Sequence, residues 1–137
     1  MMRFANLAIL IGLVAICGCA DNSIGKVHGT VTLDGKPVGE AMVLFEPQKS
    51  GRPALAVTDA EGNYQLMFSA TGEGASVGTY LVRITTGQDQ VLEDGGGVAV
   101  PAVNERVPKE YNSASTQEVT VESGSNQIDF HINTQGS

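Results

Sequence analysis

The sequence predicts an all-β protein: an antiparallel sandwich of two sheets, built from seven short strands behind an N-terminal signal segment. Three observations carry this prediction. From Lys26 onward, apolar residues recur at every second position, which is the period of a half-buried strand. Turn residues separate the apolar runs at spacings of roughly ten residues, as in sandwiches. No window repeats apolar residues at the i, i+3, i+4 and i+7 positions of a helix.

Each predicted strand is defined by alternating side chains that we expect to face the core. In chain order these are Val27, Val31 and Leu33; Ala41, Val43 and Phe45; a short strand over 55–58; Tyr64, Leu66 and Phe68; Tyr80, Val82 and Ile84; Val119 and Val121; and Ile128, Phe130 and Ile132. Residues 34–37 and 59–63 have the composition of tight turns, since Asp, Asn and Gly tolerate left-handed conformations. A turn over 123–126 separates the last two rows, which are predicted to form a terminal hairpin.

The segment over residues 87–117 breaks this rhythm. Connections longer than about 15 residues are uncommon in compact domains and are usually functional or disordered. Residues 89–97 are predicted to be mobile, and residues 98–103 to form a short edge strand interrupted by Pro101. The part that follows is predicted to be more ordered, with Tyr111 covering the end of the sandwich. We therefore place the candidate binding loop at residues Asn104, Lys109, Tyr111, Asn112 and Thr116.

The start of the chain has the order of a secretory signal. Arg3 precedes an apolar run over 7–16, which is shorter than the roughly 20 residues that a membrane span needs. The residues over 16–19, Ile-Cys-Gly-Cys, resemble the lipobox of bacterial lipoproteins. That resemblance implies cleavage after Gly18, a diacylglycerol thioether on Cys19 and a further acyl chain such as palmitate on the new amino terminus. The alternative is an ordinary signal cut near Ala20.

These signals divide the chain into a signal peptide over 1–18, a lipidated cysteine with a short tether over 19–25, and a sandwich domain over 26–134. Removing 18 of the 137 residues leaves 119, enough for one domain with one core. Cys19 is then the only cysteine, so its acylation leaves no disulfide. The shortened chain has seven basic and fifteen acidic side chains, a formal charge of −8. This balance argues against nucleic acid, which requires clustered Lys and Arg.

Residues 27–38 with 41–45, residues 58–64 and residues 78–82 carry a resemblance to a known family. In order and spacing they are similar to the carboxypeptidase regulatory-like domain, one of the transthyretin-like (prealbumin-like) sandwiches. Residues 111–112 and 115–116 resemble a feature of small envelope lipoproteins that carry only this domain. The resemblance spans most of residues 27–132 and implies a non-catalytic accessory fold. It therefore predicts architecture more strongly than activity.

From these observations we expect a lipid-anchored binding or scaffolding module of the cell envelope, without catalytic residues, cofactor or metal. It would face the periplasm or the exterior, with the outer membrane favoured because the residue after Cys19 is Ala20 and not aspartate. A protein partner is favoured over a glycan, since three tyrosines and no tryptophan are available to stack on sugars. A purely structural envelope protein is one alternative.

A hydrolase of the hydroxyisourate type is the second alternative. His28 lies about where that branch of the transthyretin-like sandwiches has a histidine, and His131 and Arg83 are its candidate partners. The terminal tetrapeptide of those enzymes is absent from this sequence. Both histidines alternate with inward residues, which predicts that they lie on outer sheet faces.

Two further patterns in the sequence have the residue types of a known kind of site. Residues 59, 61 and 63 (Asp, Glu and Asn) alternate like ligands of a calcium loop but lack its length and closing Glu, so a hairpin turn is the preferred interpretation. Lys26 and Asn133 are the only pair at chain positions suited to an isopeptide bond of the kind found in some surface sandwiches.

Overall fold

The structure, a computed structural model, describes residues 23–135 of the 137. This part of the chain is all β, with a single turn of 3₁₀ helix at Lys109–Tyr111 and twelve strands. The predicted signal peptide over 1–18, the lipidation site Cys19 and most of the tether lie outside the described residues. The strands are β1 Ile24–Leu33, β2 Lys36–Pro37, β3 Met42–Pro47, β4 Ala54–Val57, β5 Asn63–Gln65, β6 Ala75–Ser76, β7 Gly78–Thr85, β8 Val91–Leu92, β9 Val98–Val100, β10 Gln117–Val121, β11 Gly124–Gln127 and β12 Phe130–Ile132.

The first sheet is organised around β1. Strands β2, β5 and β6 pair with β1 in antiparallel orientation, and β11 and β12 pair with it in parallel orientation. His28 shows the arrangement, because it lies opposite Gln65 on one side and opposite Gln127 on the other. β1 is therefore a central strand, buried at alternate positions along its length.

The second sheet has the order β10-β7-β3-β4, and all its pairs are antiparallel. Phe45 on β3 lies opposite Ala54 on one neighbour and Val82 on the other. A separate two-stranded sheet is formed by β8 and β9.

The predicted terminal hairpin is wrong. β10 pairs with β7 in the second sheet, with Val119 opposite Tyr80, whereas β11 and β12 cross to the first sheet and run parallel to β1. The turn predicted over 123–126 is also wrong, because β11 occupies most of it, and only β12 lies wholly within the last predicted strand. The number of strands therefore differs from seven, since β11 and the short β2, β6, β8 and β9 are added. The period-two pattern defines which face of a strand is buried, but it leaves the choice of neighbour open.

The division between β11 and β12 coincides with a close approach to β1. The carbonyl oxygen of Ile128 would lie 1.9 Å from a Cβ at Gly29, so only glycine fits there. One residue later, Oδ1 of Asp129 accepts the backbone N–H of Thr30 at 2.9 Å, in place of a backbone carbonyl. The hydroxyl of Tyr64 donates to the same Ile128 carbonyl at 2.6 Å. Burial, and then the charge of Asp129, raise the pKa of Tyr64, so this donor keeps its proton.

One hydrophobic core lies between the two large sheets and takes side chains from both. Its centre is Phe45, whose ring centroid is 5.8 Å from that of Tyr80 and 6.5 Å from that of Phe130. The predicted inward rows are confirmed as part of this core, although Leu33, Phe68, Val119 and Ile128 are only partly buried. The core also includes residues that the pattern did not single out: Val38, Ala54, Ala56, Ala75 and Val107.

The sandwich has two ends, which we name the entry end and the far end and define by the start and the end of β7. At the entry end, the backbone N–H of Val77 donates to the carbonyl of Ser23 at 2.8 Å, and β7 begins at Gly78. At the far end, β7 finishes at Thr85, opposite Met42 at the start of β3. The eight residues of β7, at about 3.3 Å per residue, separate the two ends by about 25 Å.

Candidate functional site

The loop over residues 104–116 leads from the far end to β10, and Glu105 fixes its start. Oε1 of Glu105 accepts the backbone N–H of Thr86 at 2.9 Å, the Thr86 hydroxyl at 2.7 Å and the N–H of Val107 at 2.9 Å. Oε2 accepts the N–H of Gly87 at 3.1 Å. An ionised carboxylate is suited to this position because it only accepts hydrogen bonds and has two oxygens to do so. Glu105 thus ties the loop to the end of β7.

The electrostatics of Glu105 follow from these contacts. Partial desolvation raises its pKa, but the hydrogen bonds from Thr86, Val107 and Gly87 together outweigh that effect and hold the pKa below its ordinary value. Thr86 is itself buried, and its hydroxyl oxygen also accepts the N–H of Arg106 at 2.8 Å. The start of the loop is therefore organised around a carboxylate whose charged form is favoured by the hydrogen bonds it accepts.

The second half of the loop is held by Asn112 and Arg83. Asn112 is 8% exposed, and its side-chain amide donates to the carbonyl of Val107 at 3.0 Å. Nη1 of Arg83 donates to the carbonyls of Asn112 and Ser113, while its Nε donates to Oε2 of Glu46 at 2.9 Å. One guanidinium on the outer face of β7 therefore bridges the second sheet and the loop.

The five residues of the predicted binding loop are placed differently from one another. Asn104, Lys109 and Thr116 are exposed and available for contact. Tyr111 is partly buried and packs against the core, as predicted for a residue that covers the sandwich. Asn112 is buried, and its side chain is engaged within the loop itself. The loop thus has an inner row that fixes its shape and an outer row that faces solvent.

A hairpin formed by β8 and β9 leaves the far end beside this loop. Its base is closed by Gln88 and Val103, each of whose N–H groups donates to the other's carbonyl at 2.9 Å. The edge strand predicted over 98–103 is thus only partly present: β9 ends before Pro101 and pairs with β8, not with a large sheet. Every residue over 87–106 is exposed.

Exposed apolar side chains are concentrated around this hairpin. A groove of about 430 Å³ runs between the outer face of the second sheet and the hairpin base, and Glu40 and Arg106 supply charged groups to its lining. The large apolar side chains exposed on the hairpin and around the groove are Met42, Val57, Val91, Leu92, Val98, Val100 and Val103. Single exposed apolar residues are normal on a protein surface, but a contiguous group is typical of a contact surface.

Sequence reasoning missed the residues that organise this region: Glu105, Thr86 and Arg83. Thr86 and Glu105 are 19 residues apart, and Arg83 and Asn112 are 29 apart, so no local spacing relates them. The one available signal was Arg83, a charged residue that alternates with buried Val82 and Ile84 in a predicted strand. Such alternation indicates an outer-face position but does not identify Glu46 or the loop as partners.

The residues of the hydrolase alternative are not brought together. His28 and His131 are both exposed, as predicted, and both lie on the first sheet, where His131 is opposite Thr32. Thr32 lies four positions after His28 on β1, which corresponds to about 13 Å. Arg83 lies on the second sheet, engaged with Glu46 and the loop. These three side chains therefore share no site.

The isopeptide pair is also separated. Lys26 lies opposite Ser125 near the start of β1, whereas Asn133 follows Ile132, which is opposite Leu33 at the other end of that strand. The distance along β1 is about 23 Å, too great for a covalent bond between the two side chains.

The turn over residues 59–63 is held by its own first side chain. Oδ1 of Asp59 accepts the backbone N–H groups of Glu61 and Asn63 at 3.0 and 2.9 Å. This is the hairpin turn preferred above. Across residues 23–135, no grouping of three or more His, Cys, Asp or Glu side chains is arranged to hold a metal ion.

No helix within residues 23–135 has the length and apolar character needed to cross a membrane. No family model, curated protein or solved structure matches the chain.

Proposed function

We propose that the chain is a cell-envelope lipoprotein whose sandwich domain acts without catalysis, as a binding or scaffolding module. The domain would be a transthyretin-like sandwich of the carboxypeptidase regulatory-like kind, attached to the membrane through Cys19. The observation that carries the proposal is a geometric one: the chain enters the domain at one end, and its exposed hairpin and loop lie at the other. A tethered module in this orientation presents its contact surface away from the membrane.

The proposed lipid anchor is supported by the sequence and by the position of the entry end. Cys19 precedes Ser23 by four residues, which span at most about 14 Å when fully extended. Ser23 is hydrogen-bonded to Val77, beside the start of β7. A bilayer that holds the acyl chains of Cys19 would therefore lie close to the entry end.

The contact side rests on the far end. The hairpin combines exposed apolar side chains, such as Leu92 at 60% and Val98 at 53% exposure, with the acidic residues Asp89, Glu93 and Asp94. The loop beside it has a fixed inner row and an exposed outer row. This combination of a firm scaffold and an apolar, charged surface supports a protein partner.

The anchor is tested by the intact mass of the protein extracted from bacterial membranes. The expected species begins at Cys19 and carries a diacylglycerol group with a further acyl chain. A Cys19→Ser variant should remain unprocessed. A protein that keeps Met1 or a free Cys19 thiol would contradict the proposal.

The contact surface is tested by site-specific photo-crosslinking in intact cells. A photoreactive side chain at Leu92 should yield one dominant adduct with another protein, and the same group at exposed Thr120 on β10 should not. Adducts of equal yield from both positions would contradict the assignment of the surface. Adducts formed only between copies of this chain would support the structural alternative instead.

A further inference from the structure

A second charged feature lies at the entry end, in the loop that follows β3. Gln48 fixes the start of this loop by donating its N–H to the carbonyl of Thr79 at 3.0 Å. Lys49 and Arg52, which follow, are exposed, and neither belongs to the two salt bridges found within residues 23–135. Val77, 47% exposed, borders the same shallow groove as Lys49. Lys49 and Val77 therefore lie beside the point where the chain enters the domain, and Arg52 follows Lys49 in the same loop.

The two ends of the domain differ in their numbers of acidic and basic side chains. Toward the entry end, the acidic residues are Glu73, which pairs with Lys26 at 3.4 Å, Glu46, which pairs with Arg83 at 2.9 Å, and the exposed Glu118 and Glu122. The far end, with its turns, the hairpin and the adjoining loop, carries nine acidic residues and three basic ones, Lys36, Arg106 and Lys109. The acidic residues are Asp34, Glu40, Asp59, Glu61, Asp89, Glu93, Asp94, Glu105 and Glu110. The domain is thus electrically polarised along β7.

We infer that the entry end is a membrane-contact surface, on which Lys49 and Arg52 bind the phosphates of anionic lipid headgroups and Val77 enters the headgroup region. The inference rests on the proposed lipid anchor at Cys19 and deepens it. The short tether brings this end within reach of the headgroups, where each Lys or Arg strengthens association with an anionic surface about fivefold.

The far end would stay clear of that surface. It lies about 25 Å from the entry end, beyond the Debye length of about 8 Å at physiological salt, and its acidic residues oppose any tilting toward anionic lipid. The anchor holds the domain at the membrane, and the entry-end cations set its orientation. The hairpin and the loop then point outward, available to a partner.

Lysine footprinting tests this orientation, because the described part of the chain offers internal controls. The full chain, produced in bacteria and purified in detergent, is reconstituted into vesicles of zwitterionic lipid or of the same lipid with about 30% phosphatidylglycerol. An amine-reactive, membrane-impermeant reagent is added, and the labelling rate of each lysine is read by mass spectrometry. Labelling of Lys49 should slow several-fold on anionic vesicles, while that of Lys36 on β2, opposite Leu33 at the end of β1, should not change.

Matched variants separate the surface from general charge effects. Arg52→Glu should remove most of the protection of Lys49, whereas Arg106→Glu at the far end should leave it intact. About 1 M NaCl, at which the Debye length is about 3 Å, should also abolish it. Equal protection of Lys49 and Lys36, or no protection of Lys49, overturns the inference.

The failure of the anchor is recognised separately. If the protein does not float with the vesicles and its Cys19 carries no lipid, the proposed function fails, and the inference fails with it. If the protein floats but Lys49 reacts at the same rate on both lipids, the anchor stands and only the orientation is refuted.

Discussion

Glu105 accepts two hydrogen bonds from Thr86, one from its backbone N–H at 2.9 Å and one from its hydroxyl at 2.7 Å. The two residues lie at opposite ends of the hairpin segment, so this contact closes the segment where it leaves the sandwich. Because the carboxylate also accepts the N–H groups of Gly87 and Val107, the path of the loop depends on one negative charge.

Replacing Glu105 with glutamine should therefore destabilise the domain. The amide keeps one oxygen, but its NH₂ group cannot accept the bond that the other oxygen accepts. We expect a loss of about 2 kcal/mol in the free energy of unfolding near pH 7. Urea titration measures it. The exposed Glu110→Gln in the same loop is the matched control and should change stability by less than about 0.5 kcal/mol.

The effect of Glu105 should also depend on pH. Its pKa is lower in the folded protein than in the unfolded chain, so its stabilisation is fully present above the unfolded pKa. The stabilisation is lost as the pH falls through the folded pKa. The difference in unfolding free energy between the wild type and Glu105→Gln should therefore shrink between about pH 5 and pH 2. A difference that stays constant over this range would show that the charge of Glu105 is not what matters.

A Gly29→Ala substitution tests the close approach between β1 and Ile128, at the junction of β11 and β12. The added Cβ would lie 1.9 Å from the carbonyl oxygen of Ile128, a backbone atom that cannot rotate away. We expect a loss of about 3 kcal/mol or failure to fold. Gly97→Ala is the control, because its Cβ would meet only the flexible side chain of Glu93, at 3.2 Å. Equal melting temperatures of the two variants would contradict the close approach of Ile128 to Gly29.

The pairing of the last strands with β1 shows how far the sequence determines the fold. The buried rows, such as Tyr80, Val82 and Ile84, follow from alternation alone, because burial of one strand face is a local property of the sequence. The pairing of β11 and β12 with β1 does not follow from alternation, because it joins residues about a hundred positions apart in the sequence. Asp129, which accepts the N–H of Thr30 in place of a backbone carbonyl, reads in the sequence as one more exposed acidic residue.

The candidate site divides in a similar way. Tyr111 was predicted to cover the end of the sandwich because its apolar ring favours burial while its hydroxyl can remain in solvent. Glu105 and Arg83 were not predicted as organising residues, because their role depends on the path of the loop. A charged side chain in a strand shows only that it faces outward. Its partners become visible once the loop over 104–116 is placed.

Arg83 offers a test of that placement. Arg83→Lys keeps the positive charge but loses the planar fork that reaches Glu46 and the loop carbonyls together. We expect amide hydrogen exchange over residues 112–117 to accelerate by about tenfold, with a change in global stability of about 1 kcal/mol or less. Arg52→Lys, at an exposed position in the entry-end loop, should leave this exchange unchanged. Unchanged exchange in Arg83→Lys would indicate that the loop is held by its other contacts.

Tyr111 should contribute to stability through packing. Tyr111→Ala removes a partly buried ring from the edge of the core, and we expect a loss of about 2 kcal/mol. Tyr111→Phe keeps the ring and should cost less than half as much. Thermal unfolding followed by circular dichroism distinguishes them. If both variants melt like the wild type, the ring does not cover the core, and its role is confined to partner contact.

The hairpin should be dispensable for folding but not for binding. Deleting residues 89–98 removes only exposed side chains, and the remaining chain can still close between Gln88 and Val103, whose two hydrogen bonds lie outside the deleted part. The entropic cost of closing the shorter loop is also smaller. We expect the unfolding free energy to stay within about 0.5 kcal/mol of the wild type, whereas crosslinking from a photoreactive group at Asn104 should fall strongly. Since Asn104 is itself retained, unchanged crosslinking would place the partner on the loop alone, and a large loss of stability would mean that the hairpin packs on the sandwich.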